Sequence, residues 1–296
     1  MANVSGILDG DAVKALDMLV AARADRRPCP PVRGLLPAGD VDAAYAVQAA
    51  WVADQVAAGA RVVGRKIGLT NPAVQAQFGV DRPDFGVLFE DMACAPGTPI
   101  DGARTLQPKV EAEIAFVLAE DLAGAVIGPA EVAAATAYVV AALEIVDSRI
   151  AGWDIGIVDT IADNGSSGLF VLGDRRQRLG RLDLAECAMT LRRVAAGQGG
   201  AVGASGGAVG ASGGAVGESV GEVVSTGTGA SILGHPLAAV AWLAAAVRDH
   251  GSPLRAGEVV LSGSLGPMVA VAPGDAFQAD ISGVGQVSAV FAGGMS

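Results

Sequence analysis

Three glutamates stand in apolar surroundings, where a charged side chain is costly. Glu111 and Glu113 are two residues apart in the strand-like run 108–118, so both carboxylates project from one face. Glu144 directly follows the apolar run 132–143. Carboxylates near a core repel one another and lose hydration unless a positive charge compensates. Without a nearby histidine, they suit a hard cation such as Mg²⁺ or Mn²⁺. The alternative is that Glu111 and Glu113 lie on a solvated strand face and Glu144 at a helix end.

Lys66 is the second candidate for chemistry. The chain has three lysines, Lys14, Lys66 and Lys109, and uses arginine for nearly all its positive charge. Lys66 lies within the apolar run VVGRKIGL, where a generic solubilising residue is unexpected. A compact ammonium beside a metal can bind a carboxylate or take part in proton transfer. The alternative is a lysine that extends from a strand edge into solvent.

Two segments rich in small polar residues could bring backbone amides close to an anion: 159–168, which reads DTIADNGSSG, and 261–265, which reads LSGSL. Outside the glycine-rich residues 199–221 the sequence has no G-x-S-x-G motif, and it has no G-x-G-x-x-G after a strand and no Walker motif. These absences argue against a serine hydrolase and against the common dinucleotide and nucleotide sites.

Composition narrows the class of protein. The chain has 296 residues and is 51% hydrophobic, which allows a large core and excludes global disorder. A net charge of -11 argues against nucleic-acid binding. Two histidines exclude a histidine-rich metal site, and Cys29, Cys94 and Cys187 form no C-x-x-C pair. We therefore expect a reduced, cytoplasmic protein. No signal peptide is recognisable, and the run 132–143 is too short to span a membrane.

Hydrophobic periodicity predicts helices over 11–24 and 41–58, a helix over 129–143 that runs into a strand, and a helix over 236–250 closed by Gly251. Strands are predicted over 62–69, 108–118, 169–172, 189–194, 258–262, 276–281 and 286–291. The mixture lacks βαβ regularity, which favours an α+β fold with a large mixed sheet. We predict a small helical N-terminal unit over residues 1–60 and a catalytic domain over 61–296.

Residues 199–219 differ in composition from the rest of the chain. They read GGAVGAS, GGAVGAS and GGAVGES, three tandem heptads. Each heptad contains three glycines, which a coiled-coil helix would not tolerate. The pattern predicts a flexible insertion in a hairpin loop.

Five segments together resemble one enzyme family. They read GRKIGLTNPAVQAQFGVDRPDFGVLFEDM, QPKVEAEIAFVL, ALEIVDSRIAGW, DTIADNGSSGLFVLG and GEVVLSGSL. In order and spacing they are similar to the 2-hydroxypenta-2,4-dienoate (2-keto-4-pentenoate) hydratases, within the wider fumarylacetoacetate hydrolase superfamily. The resemblance covers about residues 11–291, with the heptads as the main departure. It implies an α+β fold whose mixed β-sheet forms a roll or barrel like that of fumarylacetoacetate hydrolase.

The resemblance also assigns roles to individual residues. It implies that Glu111, Glu113 and Glu144 hold a divalent metal, Mg²⁺ or Mn²⁺. It makes Lys66 and Asp84 candidates for proton transfer. It implies that the substrate is held by a further set of polar residues: Asp163, Asn164, Ser166 and Ser264.

The implied activity is metal-dependent addition of water to 2-hydroxypenta-2,4-dienoate, giving 4-hydroxy-2-oxopentanoate in meta-cleavage catabolism of aromatic rings or steroids. The alternatives are a 2-oxo-3-hexenedioate (4-oxalocrotonate) decarboxylase and a 2-oxohept-4-ene-1,7-dioate hydratase, which would need a further cation; Arg65, Arg82 and Arg149 cannot be placed from sequence. From a different class, the chain would be a non-catalytic partner of such a decarboxylase. Acylpyruvate hydrolysis is disfavoured because no suitable His–Glu pair is evident. The resemblance further implies a homo-oligomer, a pentamer or decamer, and association with a decarboxylase or a downstream aldolase, with no nucleic-acid or membrane partner.

Overall fold

The computed structural model describes residues 8–71, 75, 80, 82–195 and 221–293. The described strands, in chain order, are β1 Val62–Gly68, β2 Asp84–Phe89, β3 Ala93–Cys94, β4 Pro99–Ile100, β5 Lys109–Leu118, β6 Thr136–Val146, β7 Ser167–Leu172, β8 Ala188–Val194, β9 Glu222–Thr228, β10 Val259–Ser264, β11 Val269–Ala270, β12 Ala276–Ile281 and β13 Gly285–Phe291. The described α-helices are α1 Gly10–Ala24, α2 Val41–Ala57, α3 Pro129–Ala135, α4 Ile157–Ala162 and α5 Pro236–Asp249.

The strands form two mixed sheets. The larger has the order β2-β1-β10-β5-β6-β7-β3, with β11 also pairing with β5. Its β1–β10 and β3–β7 pairs are parallel and the other pairs antiparallel. The smaller has the order β4-β13-β12-β8-β9, with a parallel β4–β13 pair. The predicted α+β class with a large mixed sheet is confirmed.

One hydrophobic core lies between the two sheets. Ile114 and Phe116 from β5 and Leu143 from β6 pack in the same cluster as Phe277 and Phe291 of the smaller sheet. The rings of Phe277 and Phe291 meet edge to face, with centroids 6.1 Å apart. Burial of such side chains is the main driving force that holds the sheets together.

A second core covers the other face of the larger sheet. Leu16 of α1 and Trp51 of α2 pack in one cluster with Phe89, Phe170 and Leu261 of the sheet. The N-terminal helices therefore share a core with the catalytic strands, and the predicted division at residue 60 stays a prediction.

Both N-terminal helices begin after an aspartate that caps them. Asp9 accepts hydrogen bonds from the first turn of α1, and Asp40 does so for α2. Caps of this kind stabilise a helix by about 1 kcal/mol.

Helix α5 is apolar but belongs to the core. The segment Gly229–Asp249 is long and apolar enough to cross a membrane by length and composition alone, with a mean hydropathy of 1.7. In the structure α5 itself has 14 residues, and Val240 and Leu243 are fully buried against the sheet. A core helix satisfies the same criterion, and 14 residues are fewer than the roughly 20 that a membrane span requires. The helix ends at Asp249, and Gly251 follows with a φ of +76°, as predicted.

The prediction of one long helix over 129–143 is wrong. Helix α3 ends at Ala135, and Thr136 begins β6, an 11-residue strand between β5 and β7. Because this central strand is buried on both faces from Val139 onward, its residues do not alternate between polar and apolar. A continuous apolar run of this kind cannot be told from a buried helix by periodicity.

The heptad insertion, residues 199–219, lies outside the described residues. The strands on either side of it, β8 and β9, pair antiparallel with Arg193 opposite Glu222. The insertion follows β8 and precedes β9 in the sequence, and its flexibility stays a prediction.

Candidate active site

The pairing of the two longest strands assembles the three glutamates. Glu111 on β5 lies directly opposite Glu144 on β6, and Glu113 follows two residues along β5 on the same face. Each residue offers one carboxylate oxygen, and these three oxygens lie within 4.8 Å of one another. Like charges directly opposite on neighbouring strands are unfavourable. The cluster therefore needs positive charge to stabilise its ionised form.

Several oxygens of this cluster are buried without a hydrogen bond. Glu113 and Glu144 are 0% and 1% exposed. Glu113 Oε2 accepts a hydrogen bond from Gly263 N at 2.8 Å, but Oε1 has no hydrogen-bond partner within the described residues, and neither has Glu144 Oε2. A buried polar atom left unpaired costs about 1–3 kcal/mol. An all-oxygen donor set with free lone pairs fits a hard divalent cation.

The cluster holds protons more tightly than ordinary carboxylates do. The pKa of Glu111 is raised to about 7, first by burial and then by the negative charge of Glu144. Burial and the two neighbouring glutamates raise the pKa of Glu113 well above its usual range. Burial also raises the pKa of Glu144, although Lys66 opposes the shift. A bound cation would displace these protons, because metal ligands must be deprotonated.

Lys66 is buried beside the cluster. Its Nζ lies 3.2 Å from Glu144 Oε1, and the residue is 3% exposed. Burial alone would lower the pKa of Lys66, but the charges of Glu144 and Asp84 outweigh it and raise that pKa. Lys66 is therefore an ammonium held among acids, which excludes the interpretation as a solvent-directed edge lysine.

Asp84 begins β2 and lies opposite Gly68 of β1. It is 1% exposed, and its Oδ2 accepts a hydrogen bond from Thr160 Oγ1 at 3.1 Å. A Cβ atom at position 68 would lie 2.1 Å from Asp84 Oδ1, so glycine there makes room for the carboxyl group. Burial raises the pKa of Asp84, although Lys66 opposes the shift. This carboxyl group can therefore hold a proton more readily than an ordinary aspartate.

A bulge at the end of β10 supports the metal cluster. The register with β5 shifts before Ser264, which lies opposite Glu113. Gly263 has a φ of +108°, and a Cβ there would lie 2.3 Å from Thr70 Oγ1, so only glycine fits where its N–H meets Glu113. Ser264 lines a cavity that Lys66 and Asp84 also line, and it donates its hydroxyl to Gly266 O at 2.5 Å. Its contact with substrate stays a prediction.

Asp163 and Asn164 are committed to other partners. Asp163 accepts hydrogen bonds from the guanidinium and backbone of Arg149 and from Ser148 Oγ. Asn164 Oδ1 accepts from Val87 N at 2.8 Å, and its Nδ2 donates to Val87 O at 2.9 Å. Neither residue lines the cavity. Their polar atoms fix the loop to Arg149 and β2, and their contact with substrate stays a prediction.

The rest of the segment 159–168 divides between helix and turn. Helix α4 ends at Ala162, and Asn164–Ser166 form a short helical turn before β7. Ser166 lines the cavity, with its Oγ 3.3 Å from Thr160 Oγ1. A chain of hydroxyl groups thus leads from Ser166 through Thr160 to Asp84. The contact of Ser166 with substrate stays a prediction.

These side chains surround a cavity of about 480 Å³. Its polar wall includes Lys66, Asp84, Lys109, Glu111, Thr160, Ser166 and Ser264, and its apolar wall includes Val146, Trp153, Ile155, Ile157 and Met268. A mostly apolar wall with a few convergent polar groups is typical of a small-molecule site.

Lys109 and Trp153 belong to the cavity but were not singled out from sequence. Lys109 Nζ lies 4.1 Å from the centre of the Trp153 ring, a cation–π contact. Both residues also line an adjoining apolar cavity of about 370 Å³. Trp153 has a φ of +58°, and its Nε1 donates to Gln107 O at 3.0 Å. The scarcity of lysine that drew attention to Lys66 applies equally to Lys109.

Comparisons with known proteins agree with this geometry. Residues 58–292 match the family model described as fumarylacetoacetate (FAA) hydrolase C-terminal. The chain is 48% identical over 296 residues to 2-keto-4-pentenoate hydratase 1 of Dechloromonas aromatica, covering 99% of this chain and 100% of that protein. It is 49% identical over 270 residues to a 2-keto-4-pentenoate hydratase of Burkholderia vietnamiensis, covering 91% and 93%. The solved 4-oxalocrotonate decarboxylase of Pseudomonas putida, complexed with magnesium and adipate, is 31% identical with a TM-score of 0.80, covering 94% and 97%.

Proposed function

Because this chain belongs to the fumarylacetoacetate hydrolase family, we propose that it is a divalent-metal-dependent hydratase that adds water to 2-hydroxypenta-2,4-dienoate. The observation that carries the proposal is the glutamate cluster, with its buried unpaired oxygens, at the wall of a cavity that Glu111, Lys66 and Asp84 line. Near full-length similarity to 2-keto-4-pentenoate hydratases supports the choice of substrate.

Glu111, Glu113 and Glu144 would hold the cation, which we propose to be Mg²⁺ or Mn²⁺. A bound cation would supply positive charge to the substrate's carboxylate and 2-oxygen. Glu113 is oriented for this role by Gly263 N, and Glu144 by Lys66. The magnesium complex of the related decarboxylase supports a divalent ion.

Lys66 and Asp84 divide the work at the carbon chain. Lys66 remains charged, so it neutralises the acids and attracts the anionic substrate. Asp84 is the better proton carrier, because burial favours its protonated form and Thr160 orients it. General acid–base groups of this kind contribute about 10²–10⁴-fold to a rate.

The reaction then needs two proton-transfer stages. The 2-hydroxyl group loses its proton and C5 gains one, which gives 2-oxopent-3-enoate. Water next adds its oxygen to C4 while C3 gains a proton, which gives 4-hydroxy-2-oxopentanoate. We propose that Asp84 carries protons to and from the carbon chain of the substrate. The hydroxyl groups of Thr160 and Ser166 extend this hydrogen-bonded path from Asp84 along the cavity. Ser264 lines the same cavity and donates its hydroxyl to Gly266 O, so its oxygen would accept a hydrogen bond from the substrate.

Decarboxylation of 4-oxalocrotonate is the second candidate, because the solved decarboxylase shares the fold and 31% of the sequence. A dicarboxylate substrate, for a decarboxylase or for a longer-chain hydratase, needs another cation. Arg65 lies outside this cavity, and Arg149 is paired with Asp163. Lys109 lines the cavity and has no carboxylate within 4.0 Å among the described residues, so it is the candidate for that role.

We further propose that the protein acts in the cytoplasm as a homo-oligomer in meta-cleavage catabolism. The described cysteines, Cys29, Cys94 and Cys187, are all free, which supports a reducing compartment. Association with a decarboxylase or with an aldolase that consumes the product remains part of the proposal.

The deciding experiment uses the purified full-length chain alone with the dienol, with and without Mg²⁺ or Mn²⁺. Metal-dependent loss of the ultraviolet absorbance of the conjugated system, with 4-hydroxy-2-oxopentanoate as the product, supports the hydratase. Release of CO₂ from 4-oxalocrotonate instead supports the decarboxylase. If neither substrate changes in the presence of metal, the chain is a non-catalytic partner and the proposal is wrong.

A further inference from the structure

A second cavity, of about 570 Å³, lies at the edge of the larger sheet, between α2, the β1–β2 pair and the end of α5. It shares no lining residue with the cavity that Glu111, Lys66 and Asp84 line. We call it the Arg65 cavity, after the residue that supplies its positive charge. Arg65 precedes Lys66 along β1, so the two side chains point to opposite faces of the strand.

Arg65 is a buried cation with weak compensation. It is 6% exposed, and its guanidinium donates to Gly64 O and to Ser252 Oγ, each at 2.9 Å. In the part of the chain that the structure describes, the one carboxylate within 4.0 Å is Glu258, at 3.9 Å from Nη1. A buried guanidinium is costly unless a carboxylate meets it closely, as Asp163 meets Arg149 in this molecule. The Arg65 guanidinium therefore has capacity to bind an anion.

Three rings form one wall of the Arg65 cavity. Tyr45 and Phe85 stack with centroids 4.4 Å apart and an interplanar angle of 17°. His250 lies 4.9 Å from Tyr45 and 5.7 Å from Phe85. The facing side of α2 presents small apolar side chains, including Val52 and Ala53. A planar ring fits such a wall better than a flexible chain, because aromatic pairs gain about 0.5–1.5 kcal/mol beyond the area that they bury.

The charges around the cavity limit the ligand to one negative charge. Asp54 lies exposed on its rim and Glu258 lies beside Arg65, so a second anionic group would be repelled. Ser252 offers a further hydroxyl group next to the guanidinium. We propose that the Arg65 cavity is a second small-molecule site that binds an aromatic monocarboxylate, with the carboxylate on Arg65 and the ring against Tyr45 and Phe85.

Calorimetric titration of benzoate into the full-length protein tests this site. Saturating Mg²⁺ and oxalate, a small chelating dianion, are added to occupy the cavity lined by Glu111, Lys66 and Asp84, which we call the glutamate cavity. We expect benzoate to bind with the same dissociation constant whether oxalate is present or absent. Benzamide, which lacks the charge, should bind at least about tenfold more weakly, and cyclohexanecarboxylate, which lacks the planar ring, about two- to tenfold more weakly.

Variants separate the Arg65 cavity from the rest of the molecule. Arg65→Gln should weaken benzoate binding at least about tenfold, whereas Arg255→Gln, at an exposed arginine paired with Asp121, should leave it unchanged. Ala53→Phe fills the cavity from a helical position and keeps Arg65, so it tests the site even if Arg65→Gln does not fold. It should abolish benzoate binding without changing the oligomeric state.

Three results would overturn the proposal. Benzoate that fails to bind, or that oxalate displaces, shows that no separate site for it exists. Binding that Ala53→Phe leaves intact shows that benzoate lies elsewhere. A change in particle mass on light scattering of Ala53→Phe shows that the cavity is covered by another copy of the chain.

Discussion

Buried carboxylates occur in two regions of this molecule, and their partners differ. Asp147, Asp159 and Asp163 accept hydrogen bonds from backbone N–H groups, and the last two also pair with arginines. Glu113 and Glu144 are equally buried but keep oxygens with no hydrogen-bond partner among the described residues. A satisfied carboxylate fixes a loop, whereas an unsatisfied one is held ready for a ligand. The number of hydrogen-bond partners, rather than burial, distinguishes these three aspartates from the two glutamates.

The largest effect should follow a substitution in the glutamate cluster, where carboxylate oxygens lack hydrogen-bond partners among the described residues. Glu144→Gln removes a proposed metal ligand and should reduce turnover at least about 10³-fold while the protein stays folded. Its stability without metal should be unchanged or higher, because repulsion among the buried acids falls while Glu111, Glu113 and Asp84 still compensate the Lys66 ammonium. Steady-state rates and thermal melts with increasing Mg²⁺ measure both quantities. Glu186→Gln, at an exposed position, is the matched control. Wild-type turnover in chelator-treated buffer resupplied with trace Mg²⁺ would remove Glu144 from the metal site.

For the aspartates that accept backbone hydrogen bonds, we expect a substitution to reduce stability rather than activity. Asp163→Asn leaves the Arg149 guanidinium buried without its charged partner and should lower the free energy of unfolding by about 3–5 kcal/mol. Activity per folded molecule should change little. The exposed ion pair of Arg33 with Asp154 supplies the control, since Asp154→Asn should cost less than about 1 kcal/mol. Chemical denaturation measures the loss, and an Asp163→Asn protein with full stability but no turnover would reverse the distinction.

Lys66→Met removes the cation that lies beside the glutamate cluster. Turnover should fall at least about tenfold, because the ammonium that attracts the anionic substrate is lost. Metal affinity should be kept or increased, because the ammonium no longer competes with the metal for Glu144. Calorimetric Mg²⁺ titration and steady-state kinetics give the two values separately. Unchanged turnover would mean that Lys66 only neutralises the cluster.

A smaller effect concerns pH. The pKa of Glu111 is about 7 in the folded protein, above its ordinary 4.5, so the folded state binds more protons than the unfolded state between these values. Metal-free protein should therefore lose stability as the pH rises from about 5 to about 8. Mg²⁺ should stabilise the protein more at pH 8 than at pH 6, since fewer protons remain to be displaced. Melting temperatures with Mg²⁺ or chelator test this, and Glu111→Gln should flatten the dependence.

Much of the fold was predictable because the local signals agree with the tertiary structure. Apolar residues at helical spacing and the closing Gly251 mark helices that the structure contains. Strand β6 was misjudged at its start, because a central strand buried on both faces has no period of two. Strand β2 was not predicted at all, although it carries Asp84 and pairs with β1.

The candidate site was predictable where the sequence places a charged residue in an apolar run, because burying such a charge is energetically costly. Glu111, Glu113 and Glu144 stood out because charges in apolar runs need a reason, and the β5–β6 register brings them together. Asp163 and Asn164 could not be separated from Ser166 by sequence, because only the backbone conformation decides which side chains face the cavity.

The position of Trp153 gives this protein an intrinsic optical reporter. The chain has three tryptophans, and of these Trp51 packs in the helical core and Trp242 against the core between the sheets. Trp153 alone of the three lines the glutamate cavity, and its ring lies under the Lys109 ammonium. Indole emission depends on nearby charge and on water, so an anion that draws Lys109 away will change the fluorescence of this one residue. Occupancy of the cavity can therefore be followed with unlabelled protein and with ligands that never react.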